Sequence, residues 1–188
     1  QSGLGLPDEA YYREEAHAET LSAYEKHVAE MLEFLDPARL FGLGAEVAAH
    51  RIVALEKELA AGHWDVVSTR DAVKTYNPCE FSELPTMTRA LLSGGNLPEH
   101  RVVNMMPSYL EHFEGLFTSN RMADWQLWAT WHILRSRAAM LPEEVGAKNF
   151  EFYGTKLSGA TQQRDRWKRA VRGRTITYKT ERTQLLAG

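Results

Sequence analysis

The histidines are the residues through which this chain could most directly bind a catalytic metal. A zinc site on a helix needs two histidines four residues apart, because positions i and i+4 project from the same helix face. The seven histidines lie at positions 17, 27, 50, 63, 100, 112 and 132, and no two of them have that spacing. The sequence therefore predicts no metal ligand and no cofactor for this chain.

An alternative is a metal site assembled from histidines that are distant in sequence. Its candidates are His17, His27, His50, His100, His112 and His132. His112 is flanked by Glu111 and Glu114, but without a second ligand it is interpreted as a surface histidine.

Other catalytic patterns are also missing from the sequence. There is no Gly-x-Ser-x-Gly motif, no Cys-x-x-Cys motif and no phosphate-binding loop. Gly42-Leu43-Gly44 lacks a third glycine and is interpreted as a turn, and Cys79 as a small hydrophobic residue in a loop. The adjacent pairs Glu14-Glu15 and Glu143-Glu144 would point about 100° apart on a helix, so they are solvent-facing charges. The sequence predicts no catalytic residue and leaves substrate-binding residues unassigned.

Three tryptophans, Trp125, Trp128 and Trp131, repeat every third residue of a predicted helix. Such a stripe could line a pocket, but side chains of this size more often form part of a core. An independent enzyme that uses this face would need reactive residues that the sequence does not supply. We therefore expect Trp128 and Trp131 to be buried.

The composition is that of a soluble globular domain, with 44% hydrophobic and 25% charged residues among 188. No stretch approaches the roughly 20 apolar residues of a membrane-spanning helix. The N-terminal residues resemble no signal peptide, and a single cysteine excludes an intrachain disulfide. These features predict a cytoplasmic protein without membrane contact, with an exported parent protein as the alternative.

Charge is unevenly distributed along the chain. Residues 164–188 contain eight basic and two acidic residues, whereas residues 1–163 contain fourteen basic and twenty-three acidic ones. A basic segment at 164–182 could bind nucleic acid or an acidic partner, which makes a free-standing helical binding module an alternative function. We favour a solvated helix face, because Trp167 alone does not provide the repeated aromatic platform of single-strand binding.

Helical periodicity dominates the rest of the sequence and predicts an all-α fold, a multi-helix bundle with irregular connections. At most a minor strand is expected at 101–106, ended by Pro107. Loops with short helical turns are expected at 65–85, and a weak strand at 175–178. The predicted helices are 9–36, 44–61, 86–92, 107–117, 122–141, 143–157 and 161–171.

A series of short motifs, in a particular order, resembles the neprilysin-like zinc metallopeptidases. The first is Gly3-Leu4-Gly5-Leu6-Pro7 followed by Tyr11-Tyr12, similar to that family's Gly-Leu-Pro-x-x-x-Tyr-Tyr segment. Each motif is weak alone, but six in the family's order are specific together. The remaining five are Ile52–Ala60, Arg70-Asp71 with Tyr76-Asn77, Val102-Val103 with Pro107–Leu110 and Trp131, Phe152-Tyr153-Gly154 with Leu157-Ser158-Gly159, and Arg166–Arg169.

The resemblance covers the family's N-terminal helical region and stops before its catalytic part. The family's zinc ligands and general base come from His-Glu-x-x-His and Glu-x-x-x-Asp segments, and neither motif is present here, so no site residue is carried over. The resemblance implies a fragment of a metalloendopeptidase that packs on a missing C-terminal catalytic domain and limits access to peptide substrates. Zinc is implied for the full-length protein only, and the fragment is expected to self-associate through its uncovered face.

Two departures from the family pattern set the expected domain boundary. Ala170 stands where extracellular members carry a cysteine, which fits a reduced, bacterial-type relative. After Val171 the family's Gly-x-x-Tyr-Val segment is absent. We therefore expect a helical region at 1–171 and a divergent, poorly ordered tail at 172–188.

Overall fold

A computed structural model describes residues 3–95, 100–165, 167–169 and 171. This part of the chain is mainly α-helical, which confirms the predicted fold class, and no helix in it is long and apolar enough to cross a membrane. The two strands are β1 (Pro78–Cys79) and β2 (Val102–Val103). The helices are α1 (Ala10–Arg13), α2 (Ala18–Leu32), α3 (Ala45–Gly62), α4 (Thr86–Gly94), α5 (Pro107–Leu116), α6 (Met122–Arg137) and α7 (Glu143–Phe150).

The predicted helix at 9–36 is divided in two. Glu14 has extended backbone angles, φ −89° and ψ 133°, and a short 3₁₀ turn at Glu15–His17 leads into α2. Tyr12 and Tyr24 would be about 18 Å apart along a continuous helix. Their hydroxyls nevertheless bond the same carboxylate, that of Glu56. The break at Glu14 allows both side chains to reach it.

Helix α3 is the centre of the bundle and packs against α1, α2, α5 and α6. Its buried residues, between Ala48 and Ala60, form one wide face, as expected for a helix with several packing partners. Helices α2 and α3 pack side by side, and Tyr24 bonds to Glu56 while Glu25 pairs with His50. Leu32, Ile52, Leu55 and Leu59 are fully or almost fully buried between these helices and their neighbours.

The C-terminal helices close one side of this core. Helix α6 continues through a 3₁₀ turn at Ala138–Met140, close to the predicted end at 141. Helix α7 passes into a π-helical turn at Glu151–Lys156, so the helix predicted at 143–157 is confirmed.

The helix predicted at 161–171 does not begin at Thr161. Residues 161–165 are not helical, and within the described part of this segment helix occurs only at 167–169 and 171. Gly159 has a positive φ of 68°, which turns the chain after the π-helical turn. Beyond it, the Gln163 side-chain amide donates a hydrogen bond to the Gly146 carbonyl in α7. The predicted tail at 172–188, with the strand at 175–178, lies outside the described residues.

A short antiparallel ribbon stands beside the bundle. Strand β2 lies inside the predicted strand at 101–106, but its partner β1 lies in the segment that was predicted as loops and helical turns. Two residues carry too little periodicity to be recognised, and this strand is formed by its pairing rather than by its own sequence. Pro78 pairs with Val103 and Cys79 with Val102.

Candidate functional site

A single buried carboxylate, that of Glu56 in α3, lies where several distant segments meet. The residue has no exposed surface. Its Oε2 atom accepts a hydrogen bond from the Tyr12 hydroxyl at 2.7 Å. Its Oε1 atom accepts one from the Tyr24 hydroxyl at 3.1 Å and lies 2.8 Å from His132 Nε2. Three partners from α1, α2 and α6 therefore compensate the desolvation of the buried charge.

The two tyrosines extend this network in opposite directions. The Tyr24 hydroxyl accepts a hydrogen bond from Trp131 Nε1 at 2.8 Å, and the Tyr12 hydroxyl accepts the backbone N–H groups of Gly5 and Leu6, both at 3.0 Å. Burial, and then the negative charge of Glu56, raise the pKa of both phenols well above the usual value. Both tyrosines therefore stay neutral and act as hydrogen-bond relays.

Residues 3–6, which we call the N-terminal strap, are fixed by the same region. Gly5 donates to Tyr12 and its carbonyl accepts from the Tyr153 hydroxyl at 3.0 Å. Trp128 Nε1 donates to the Gly3 carbonyl at 3.1 Å. A β-carbon at Gly5 would overlap the Tyr24 hydroxyl, so glycine is required there by close packing. The Gly-Leu-Gly-Leu-Pro motif is thus one side of the Glu56 network.

The motifs at 70–77 and 102–110 meet in a second place, around the ribbon. The Asn77 side chain donates to the carbonyls of Lys74 and Asn104, at 2.9 and 3.0 Å, and thereby fixes the loop to β2. The Asp71 side chain accepts the N–H groups of Val73 and Lys74 and thereby orders the turn between Asp71 and Asn77. Asp71 and Asn77 thus hold the backbone in this region.

The predicted tryptophan stripe belongs to the core. Trp131 is fully buried and Trp125 almost so, whereas Trp128 is half-buried against the strap. Cys79 is half-buried in β1 rather than in a loop. The four glutamates of the pairs at 14–15 and 143–144 are exposed, as predicted.

The histidines are dispersed, and within the described ranges no three His, Cys, Asp or Glu side chains form a group that could hold a metal ion. The donor set present does not fit zinc, so we derive no chemistry through a metal in this chain. Their positions differ: His17 stacks on Tyr11, His27 on Phe152, His50 pairs with Glu25, His63 lies against Tyr109, His112 covers Gly62, His132 contacts Glu56 and His100 is exposed.

Two of these histidines, His27 and His63, are buried. Burial lowers the pKa of His27 to about 4, and it lowers the pKa of His63 as well. His112 is half-buried rather than a free surface residue, with Nε2 2.7 Å from the Glu58 carbonyl oxygen. Its neighbour Glu114 accepts the Met87 N–H at the start of α4. These side chains stabilise helix contacts.

The described part of the basic segment shows local pairing. Lys168 forms an ion pair with Asp165 at 2.9 Å and lies over the Trp167 ring. Residues 166 and 170, and the part from residue 172 onwards, of the segment that was considered for nucleic-acid binding lie outside the described residues.

Glu56 lies within the Ile52–Ala60 motif, but its sequence context alone did not predict a role for it. One signal could have identified it: Glu56 lies four residues after Ile52 and three before Leu59, on the apolar face of α3. An acid in such a position must be buried with partners.

The sequence model of Peptidase family M13 matches residues 1–178. Neprilysin-2 of Drosophila melanogaster is 28% identical over an alignment of 186 residues, which covers 91% of this chain and 23% of that protein. The open state of Mycobacterium tuberculosis zinc metalloprotease Zmp1 is 43% identical with a TM-score of 0.76, over 91% of this chain and 27% of that chain. Its inhibitor complex is 41% identical with a TM-score of 0.77, over the same shares.

The chain thus spans about a quarter of the length of these relatives. The matched residues 1–178 include those of the Glu56 network and of the ribbon. The two Zmp1 structures are 43% and 41% identical to this chain over the matched part, in addition to sharing its fold. This chain belongs to Peptidase family M13.

Proposed function

We propose that this chain is a fragment of a zinc metalloendopeptidase in which it serves as a rigid helical scaffold. The scaffold packs on the catalytic part of the parent polypeptide and limits access to peptide-sized substrates. Zinc binding and hydrolysis are assigned to the catalytic part, and this chain alone is expected to do neither. The observation that carries the proposal is the convergence of the strap, α1, α2, α3 and α6 on Glu56.

A fully bonded buried network suits a wall rather than a reaction centre. Glu56 has no exposed surface, so a substrate cannot reach it. Satisfied buried networks rigidify a core, because each member loses its partners if the geometry changes. A scaffold that limits access by substrate size needs a fixed shape. The similarity to Zmp1, a zinc metalloprotease, supports the assignment of the whole protein to peptide hydrolysis.

The test uses the full-length product of the gene that encodes this chain. Its hydrolysis rate is measured with a short quenched peptide and with a long unfolded polypeptide that contains the same cleavage sequence, with and without chelator. We expect chelator-sensitive cleavage of the short peptide and slow cleavage of the long one. Equal rates for both substrates would refute the access-limiting role, and cleavage that resists chelation would refute the assignment to a zinc enzyme.

A further inference from the structure

The β1–β2 ribbon has one face that packs on the protein and one that points to solvent. The pairing of Pro78 with Val103 continues past Asn77, whose carbonyl accepts the Asn104 N–H at 2.8 Å. Pro78 and Val103 pair directly and share one face of the ribbon, and Tyr76 and Met105 lie two residues beyond them at the same end. We call these four residues the ribbon face, and all four are exposed.

The ribbon face is unusually apolar for a solvent-exposed surface. Tyr76, Val103 and Met105 are 66%, 48% and 58% exposed. A two-stranded ribbon is marginally stable by itself, and here the Asn77 side chain and the half-buried opposite face hold it in place. The apolar side chains are therefore presented on a fixed backbone. Contiguous exposed apolar residues of this kind mark interaction sites.

An apolar groove adjoins the ribbon face between α4 and α5. Val103 and Met105 line both features, and the groove has a volume of about 330 Å³. Its other apolar lining residues are Leu84, Leu92, Val102, Met106, Tyr109 and Leu110. An apolar groove beside a flat apolar face is suited to receive an anchoring side chain from a partner.

We propose that the ribbon face and this groove are the surface on which the catalytic part of the parent polypeptide docks, with an apolar side chain of that part buried in the groove. The inference rests on the proposed function. It adds the location of the contact and its chemistry: an apolar centre, bordered at the far end of the ribbon by the exposed ion pair of Glu80 and Arg101.

Two observations favour this occupant. The chain covers 27% of the Zmp1 chain and 23% of Neprilysin-2, so most of the length of such a relative lies outside the matched part and is available to cover this face. The groove is lined by no charged residue, so it offers nothing to the phosphates of a nucleic acid. Interfaces between parts of one polypeptide combine an apolar centre with a polar rim in this way.

The test compares side-chain accessibility in the 188-residue chain and in the full-length parent. Met105→Cys is introduced into both proteins together with Cys79→Ala, and its maleimide labelling rate is measured by peptide mass spectrometry. The matched control is Ile133→Cys in the same background, because Ile133 is 64% exposed and lies on α6, which contributes no residue to the ribbon or the groove. Labelling at 105 should be at least roughly tenfold slower in the parent, since the thiol then reacts only when the contact opens.

Each outcome decides the matter. Equal labelling of position 105 in the two proteins overturns the proposal, and so does slowing of positions 105 and 133 alike. Slow labelling in the 188-residue chain that is relieved by dilution assigns the face to a second copy instead, and protection that needs added peptide assigns it to a substrate. Chelator-sensitive hydrolysis, measured on the same parent preparation, tests the proposed function separately from the docking surface.

Discussion

Replacing Glu56 with glutamine tests the network with the smallest change of shape. Glutamine retains one acceptor oxygen but replaces the other with an NH₂ group. If that group faces Tyr12, it meets a hydroxyl that already accepts from Gly5 and Leu6. If the amide is flipped, the Tyr24 hydroxyl loses the acceptor of its proton. Either orientation leaves one buried hydroxyl proton without an acceptor.

The size of the effect follows from these lost bonds. A hydrogen bond to a charged group contributes about 1.5–3 kcal/mol, and an unsatisfied buried group costs about 1–3 kcal/mol. Since the two terms overlap, we expect Glu56→Gln to lower the free energy of unfolding by about 2–4 kcal/mol. In a domain of this size, each kcal/mol lowers the melting temperature by about 2–4 °C.

The assay is equilibrium urea unfolding, followed by tryptophan fluorescence and circular dichroism. The matched control is Glu58→Gln, two residues further along α3, whose carboxylate is half exposed and forms an ion pair with Arg121 at 2.6 Å. That pair is bidentate but more exposed than Glu56, so its loss should cost about 1 kcal/mol, less than Glu56→Gln. Equal destabilisation by the two substitutions would refute the reasoning, because burial and bonding would then not distinguish Glu56 from a surface glutamate.

Three further outcomes are expected. Burial lowers the pKa of His27 to about 4, whereas the pKa of a histidine in the unfolded chain is about 6.5. As the pH falls, the unfolded state therefore takes up the proton first, and the free energy of unfolding should fall by up to about 3 kcal/mol between pH 6.5 and pH 4. Urea midpoints across this range should show a shallower slope in His27→Phe, and an unchanged slope would contradict the assignment. Trp131→Ala should cost about 3–5 kcal/mol in urea unfolding, against less than about 0.5 kcal/mol for the exposed Ile133→Ala, and similar values would place Trp131 outside the core. Gly5→Ala should lower the melting temperature, because the added β-carbon overlaps the Tyr24 side chain. Gly115→Ala, in an open part of α5, should instead stabilise the protein by about 0.5–1 kcal/mol. A change of the same sign in both variants would refute the packing account of Gly5.

Most helices could be predicted because their apolar residues recur at helical spacing. Helix α3 was expected at 44–61 and is found at Ala45–Gly62, and Pro107 begins α5 as predicted. Such patterns are local, since they depend only on which face of a helix is buried. The bundle and its class therefore followed from the sequence.

The parts that could not be predicted depend on contacts between distant residues. The break at Glu14 is not encoded by a proline or a glycine, and it follows from the bonds of Tyr12 and Tyr24 to Glu56. Strand β1 exists because β2 pairs with it. The motifs indicated the family correctly, but only the structure shows that the strap and Tyr12 belong to one network.

The most direct test of the division of labour is a zinc determination combined with hydrolysis of a quenched peptide. The 188-residue chain and the full-length parent are purified alike and assayed with and without chelator. We expect no bound zinc and no cleavage for the chain, and bound zinc with chelator-sensitive cleavage for the parent. Stoichiometric zinc and chelator-sensitive cleavage by the 188-residue chain would contradict the scaffold role, because catalysis would then reside in its own scattered histidines.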